Sequence, residues 1–156
     1  MTTAETHPTG PDDWRAHLIE DDEAIACLIA RTHRVAVLGI KTAATGEPAY
    51  YVSAYVQRAG IEIVPVPVYF PEITEILGQA VYRTVSAIPG PIDMVNVFRR
   101  SEKIDAHVDD ILAKGPASVW FQQGIRNAKA AERFARAGID VVQDRCLLVE
   151  LEAVGR

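Results

Sequence analysis

Basic charge is in short supply. Lysine and arginine total 16 against 21 aspartates and glutamates, a formal net charge of −5. A chain that grips nucleic acid or anionic lipid through a broad basic surface needs the opposite balance, so neither partner is expected, although local basic sites remain open. Cysteine is scarce as well: Cys27 and Cys146 form no CxxC pair and stand beside no histidine cluster, which leaves a disulfide framework or a zinc site without ligands. His7, His17, His33 and His107 are scattered and make no HExxH, so each is expected at the surface and no metal is assigned. Long apolar runs are also absent. The runs span about 4 to 8 residues, well short of the roughly 18 that cross a bilayer. The start of the chain, through His7, Pro8, Gly10 and Pro11, has no apolar segment of the kind a secretory signal needs. A cytoplasmic location is the expectation.

What is present is 156 residues, 49% of them apolar, enough to build one core rather than two. Residues 1–12 mix Thr, Pro, Gly and His without periodicity and read as a flexible tail, leaving 13–156 as a single domain. Ile25, Leu28, Ile29 and Thr32 follow helical spacing up to His33. A short apolar run over 35–38 then reads as a strand closed by Gly39, followed by a Thr-, Ala- and Gly-rich loop. A helix opens at Pro48, carries Val52, Tyr55, Val56 and Ala59 on one stripe, and stops at Gly60. The β-branched run 61–66 is a second strand, which Pro65, Pro67 and Pro71 exclude from a long central position.

Residues 72–88 read as a turn of helix, Gly78, and a strand-like piece over 81–85. After Pro89, Gly90 and Pro91 the alternation resumes, with a strand over 92–98 and a helix capped by Ser101 that bears Ile104, Val108, Ile111 and Leu112. A strand over 117–121, a helix over 126–137 with Ala131, Phe134 and Ala135 inward, and a strand over 139–142 complete the pattern. Helices between apolar strands are the crossovers that parallel strands require. The expected fold class is α/β: a Rossmann-like three-layer domain with a mainly parallel five- or six-stranded sheet and helices on both faces.

Open parallel sheets bind ligands beyond the carboxyl ends of their strands. The residues at those exits are therefore the candidate site: Gly39, Ile40, Lys41 and Thr42; Pro65 and Val66; Phe98, Arg99 and Arg100; Gln122 and Gly124, with Arg126 following; and Asp144, Arg145 and Cys146. Cations gather there in an otherwise acidic chain, which suggests an anionic ligand. A glycine-containing loop feeding a helix start supplies backbone N–H groups for phosphate. The loop has no GxGxxG, and no acidic residue ends the second strand, which disfavours NAD. Gly46 is followed by Glu47 and Pro48 rather than by a P-loop lysine, so ATP turnover has no support either. Trp120, inside a strand, reads as core.

The ordered segments VAVLGIK (35–41), EPAYYVSAY (47–55), IVPVP (63–67), IDMVNVFRR (92–100), SVWFQQGI (118–125) and VVQDRCLLVE (141–150) carry a resemblance. Together they resemble the small stand-alone CoA-binding proteins, single Rossmann-like domains similar to the CoA-binding domain of the succinyl-CoA synthetase α subunit. The resemblance implies that CoA or an acyl-CoA is the ligand, with Gly39 and Lys41 against its phosphates and Pro48 to Ser53 nearby. It places Phe98 and Arg99 beside the nucleotide, and Gln122 and Gly124 along the pantetheine arm. Ala49, Tyr51 and Pro67 depart from the family pattern, replacing a polar residue, an arginine and an asparagine.

No catalytic apparatus accompanies the resemblance, so the expectation is non-catalytic binding of CoA or an acyl-CoA at the carboxyl edge of the sheet. Two alternatives stand beside it. One is a thiol-dependent acyl-CoA or CoA-disulfide enzyme using Cys146 with Arg145 beside it, against which an Asp144–Arg145 ion pair with a buried Cys146 is the plainer arrangement. The other is a ligand-free Rossmann-like interaction domain. Association with a second copy or another protein is left open.

Overall fold

In the computed structural model, which describes residues 13–156, burial alternates along the first strand in a way that decides the architecture. Along β1 (Arg34–Leu38), Val35 and Val37 join one apolar cluster while Ala36 and Leu38 join another. A strand buried on both faces must lie inside a layered structure. The remaining strands in chain order are β2 (Glu62–Val66), β3 (Glu75–Ile76), β4 (Gln79–Ala80), β5 (Met94–Val97), β6 (Ser118–Phe121) and β7 (Asp140–Val142). Five of them form one parallel sheet in the order β2-β1-β5-β6-β7. This is the expected α/β fold, with five strands. The tail expected over 1–12 lies outside the described residues.

Helices α1 (Asp22–Ala30), α2 (Pro48–Arg58) and α5 (Leu147–Ala153) cover one face, where Ile25, Val52, Val56 and Leu151 pack on Val37 and Trp120. Helices α3 (Val108–Lys114) and α4 (Ala128–Arg136) cover the other, where Phe134 meets Phe121 edge to face with ring centroids 6.4 Å apart. Trp120 is fully buried, and its indole N–H donates to the Arg145 carbonyl at 2.8 Å, so it is core as expected. Among the described residues no helix is long and apolar enough to cross a membrane.

β2 tolerates Pro65 because it is an edge strand: the missing N–H falls on a side with no further sheet strand. At the other edge, the Ile19 amide donates to the Val141 carbonyl at 2.8 Å, so the segment before α1 partly covers β7. The order of the strands reverses at β1, since β2 lies on one side of it and β5 on the other. A crevice is therefore expected between the carboxyl ends of β1 and β5.

Three local expectations are corrected. Residues 72–88 hold no helical turn, and the strand-like piece is not at 81–85: β3 and β4 form a tight hairpin around Leu77 and Gly78, both with positive φ. A type I′ hairpin turn needs that backbone at both central positions, and Gly78 adopts it without strain. Ser101 does not cap its own helix. Its hydroxyl accepts from the Arg126 amide at 3.2 Å, and residues Ser101–His107 form a 3-10 segment that leads into α3. The C-terminal helix α5 was not anticipated, although Leu147, Leu148 and Leu151 carry its spacing.

Candidate functional site

Gly39 shapes the rim of the crevice. Its φ is +84°, and a Cβ there would lie 2.3 Å from the Phe98 carbonyl oxygen, so the exits of β1 and β5 approach as closely as they do only around a glycine. The Gly39 amide is held by the Val66 carbonyl at 2.9 Å, and the Phe98 amide by the Leu38 carbonyl at 2.8 Å. These bonds carry the sheet pattern to the brink of the crevice and fix where Lys41 and Arg99 begin.

A cavity of about 580 Å³ opens beyond this rim, between the start of α2, the exits of β5 and β6, and Cys146 ahead of α5. Of the sequence candidates, Lys41, Pro48, Phe98, Arg99, Arg100, Gln122 and Gly124 line it. A second cavity of about 240 Å³ shares Lys41, Phe98, Arg99 and Arg100 with it and adds Gly39, Tyr69 and Lys103. The rim is open rather than plugged by its own side chains.

Other candidates are not brought there. Ile40 and Val66 are buried in the two core clusters. Pro65 is buried within β2, and Ser53 is fully buried with its hydroxyl donating to the Ala49 carbonyl at 2.9 Å. Each falls on the inward side of its strand or helix, a distinction that position in the sequence does not carry. Thr42 lines neither cavity; its carbonyl accepts from the Thr45 amide and hydroxyl.

The cations at the rim differ in how they are held. Lys41 forms an ion pair with Glu47, the residue before α2, so it is not a free charge. Arg99 donates to His107 and approaches Tyr69. Among the described residues, Arg100 and Lys103 have no ion-pair partner. The start of α2 has no side-chain cap; Pro48 carries no N–H, and the Tyr50 and Tyr51 amides donate to the Glu47 carbonyl at 2.9 and 3.1 Å, so the Ala49 amide is the donor left at that end, beside Lys41. Tyr69 reports the accumulated charge: Arg99, by hydrogen bond and then by charge, with Lys103 and Lys41 behind it, lowers its pKa below the ordinary tyrosine range.

The floor is polar and uncharged. Gln122, nearly fully buried, donates through Nε2 to Asn96 Oδ1 at 2.8 Å, while Asn96 Nδ2 is buried without a partner. The loop after β6 is fixed by Asp144, whose φ is +58° and whose carboxylate accepts from the Gly124 amide at 2.7 Å and from Arg126 Nε at 3.4 Å. The Gly124 amide is the main reason its pKa falls below the usual carboxylate range; Arg126 adds to it, and burial opposes it. The expected Asp144–Arg145 pair does not form. Arg145 reaches Asp22 at 3.0 Å, Glu150 at 3.1 Å and the Glu20 carbonyl at 2.8 Å, fastening α1 to α5 and leaving Cys146 without its guanidinium. Cys146 is half-buried and lines the larger cavity.

The family of the CoA binding domain matches residues 33–152. The chain belongs to that CoA-binding domain family. It is 36% identical over 122 residues to the uncharacterized protein YneT of Bacillus subtilis (strain 168), covering 78% of this chain and 87% of that one. It shares its fold with a solved structure from Thermus thermophilus at a TM-score of 0.79 and 31% identity, covering 86% of this chain and 99% of the other. A hypothetical protein from Pyrococcus horikoshii OT3 superposes with a TM-score of 0.79 and 28% identity, over 95% and 98% of the two chains.

In this member of the CoA-binding domain family, two of the three departures from the family pattern stand at the cleft. Ala49 and half-exposed Tyr51 line the larger cavity, whereas Pro67 is buried beyond β2 and lines neither. Sequence reasoning also missed residues the structure gathers there: Glu47, Tyr69, Lys103 and, behind Arg99, His107. Glu47 and Lys103 flank recognised exits and were within reach of a closer reading. Tyr69 sits in a proline-rich excursion with no periodicity to place it. His107, expected at the surface, is half-buried against Arg99.

Proposed function

We propose that the cleft binds CoA or an acyl-CoA and that the chain works as a binding module, without a catalytic group of its own. CoA is a polyanion at one end, with a diphosphate, a 3′-phosphate and an adenine, and an uncharged amide chain at the other. The cleft offers both kinds of surface. Lys41, Arg99 and Arg100 line both cavities with the Phe98 ring, Lys103 and Tyr69 add to the smaller one, and Gln122, Gly124 and Val52 give the larger one uncharged surface between the carboxylates of Glu47 and Glu102. Forked arginine contacts suit phosphate oxygens, and amide groups along the groove suit the pantetheine arm.

The observation that carries this reading is the gathering of Lys41, Arg99, Arg100 and Lys103 around two adjoining cavities at the carboxyl edge of the sheet, in a member of a CoA-binding domain family. Calorimetric titration with CoA, acetyl-CoA and NAD tests it. Heat is expected with CoA or its thioester and not with NAD; heat only with NAD, or with none of the three, refutes it.

A second reading is favoured by one feature, the presence of Cys146 in the larger cavity. If Cys146 is chemically active, its thiolate attacks one sulfur of CoA disulfide, the Cys146–S–S–CoA bond forms, and CoA leaves as the thiolate. Peptide mapping after incubation with CoA disulfide decides it, since Cys27 is a second, exposed free thiol: a CoA adduct on Cys146 supports this step, and an unmodified Cys146 removes it.

A further inference from the structure

Arg99 is held from two sides. Its Nε donates to Nε2 of His107 at 3.2 Å, its Nη1 lies 3.4 Å from the Tyr69 hydroxyl, and its guanidinium carbon stands 5.7 Å from the Tyr69 ring centroid. A guanidinium only donates, so His107 Nε2 must present its lone pair and the imidazole proton resides on Nδ1. The remaining N–H groups of Arg99 are left for the two cavities that it lines. Tyr69 is itself fixed, because Arg83 donates to the carbonyls of Phe70 at 3.0 Å, Pro71 at 3.1 Å and Ile73 at 2.7 Å and so clasps its loop.

The charged groups facing the His107 ring are Arg99 from the exit of β5 and Asp110 from α3. The Asp110 carboxylate is already occupied by the amides of Val85 at 2.7 Å and Ser86 at 3.0 Å. Burial first, and Arg99 second, lower the pKa of His107 below its ordinary value, while Asp110 opposes them. The neutral ring is therefore the resting form near neutral pH. A proton on Nε2 would set two donors and two positive charges against each other at the same contact.

We propose that His107 is a positioning residue for the anionic end of the ligand: the neutral imidazole aims Arg99 into the cleft, and protonation releases Arg99 and weakens binding. This rests on the coenzyme reading above and adds to it a grip that depends on one proton. Affinity is full above the His107 pKa and is lost as the pH falls through it, below about 6.5. The imidazolium would add a positive charge near the ligand, but that charge sits behind Arg99, whose direct contacts are lost at the same time.

The test is calorimetric titration with CoA from about pH 8 to about pH 4.5, low enough to protonate a ring whose pKa is depressed, on wild type, His107→Gln and His107→Ala. The phosphates of CoA titrate in this range too, so the Gln variant is the reference: its side-chain oxygen accepts the Arg99 Nε–H at every pH. Wild type is expected to lose about tenfold in affinity relative to His107→Gln across the range, the scale of one hydrogen bond to a charged group. His107→Ala is expected to bind about tenfold more weakly than wild type at the alkaline end. Parallel profiles for wild type and His107→Gln, or wild-type affinity that rises relative to Gln on acidification, overturn the proposal. Should a variant fail to fold, nitrogen-15 NMR of wild type reads the same contact: the Arg99 Nε–H resonance must shift with the midpoint of the His107 ring, and independent behaviour overturns the proposal. Absence of heat at every pH in wild type overturns the coenzyme reading and this proposal with it, whereas heat with parallel profiles overturns this proposal alone.

Discussion

Gly39→Ala probes the rim on which the whole site hangs. Two costs add in that substitution. An alanine at φ +84° occupies backbone space that an L side chain adopts at a cost of about 1–2 kcal/mol. Its Cβ would also sit 2.3 Å from the Phe98 carbonyl oxygen, and because that atom is backbone, the exits of β1 and β5 must part. Forced separation of packed elements costs about 1–3 kcal/mol. The sum is about 2–5 kcal/mol, and at about 2–4 °C per kcal/mol for a domain of this size the melting temperature should fall by about 4–20 °C. Differential scanning calorimetry without ligand measures this, and titration with CoA should show a parallel loss of affinity, since Phe98 and Arg99 move with the exit of β5. A variant that melts within about 1 °C of wild type with unchanged CoA affinity would refute the reasoning, because the close approach at Gly39 would then impose nothing.

Three further outcomes follow from the electrostatics. Lys41→Ala should weaken CoA binding, and more at low salt than at high, whereas Glu47→Gln should strengthen it by about two- to fivefold by freeing Lys41 from its ion pair; calorimetry at two ionic strengths checks both, and an unaltered or weakened Glu47→Gln contradicts the assignment. Asp144→Asn should lower the melting temperature near neutral pH. The folded-state pKa of Asp144 is depressed, so its contribution is present above the unfolded value of about 3.9 and disappears as the pH falls through the folded one. Thermal melts should therefore converge for wild type and variant as the pH drops below about 4, and a constant gap would contradict the role given to the carboxylate.

The alternation of apolar runs with helical stripes was enough to place the parallel sheet, since Val35 to Leu38 or Ser118 to Phe121 can satisfy their burial only between two layers. The hairpin at Leu77 and Gly78 escaped because each of its strands has two residues, too short for any period to show. At the cleft, the strand exits identified a neighbourhood rather than the members of the site. Lys41 and Arg99 were legible as cations after strands, but their partners were not: Glu47 neutralises the first, and Tyr69 and His107, 30 and 8 residues away, orient the second. Ile40 and Ser53 show the converse, since each sits beside a cleft residue in sequence and points inward in space. Arg145 makes the same point for charge, its guanidinium committed to Asp22 more than a hundred residues earlier.

Native mass spectrometry of the freshly purified protein, before and after incubation with CoA, addresses the central claim most directly. One CoA or one thioester per chain is the predicted occupancy, reduced in the Gly39→Ala and Lys41→Ala variants. A chain that stays ligand-free after incubation with CoA, or that carries NAD instead, would contradict the account.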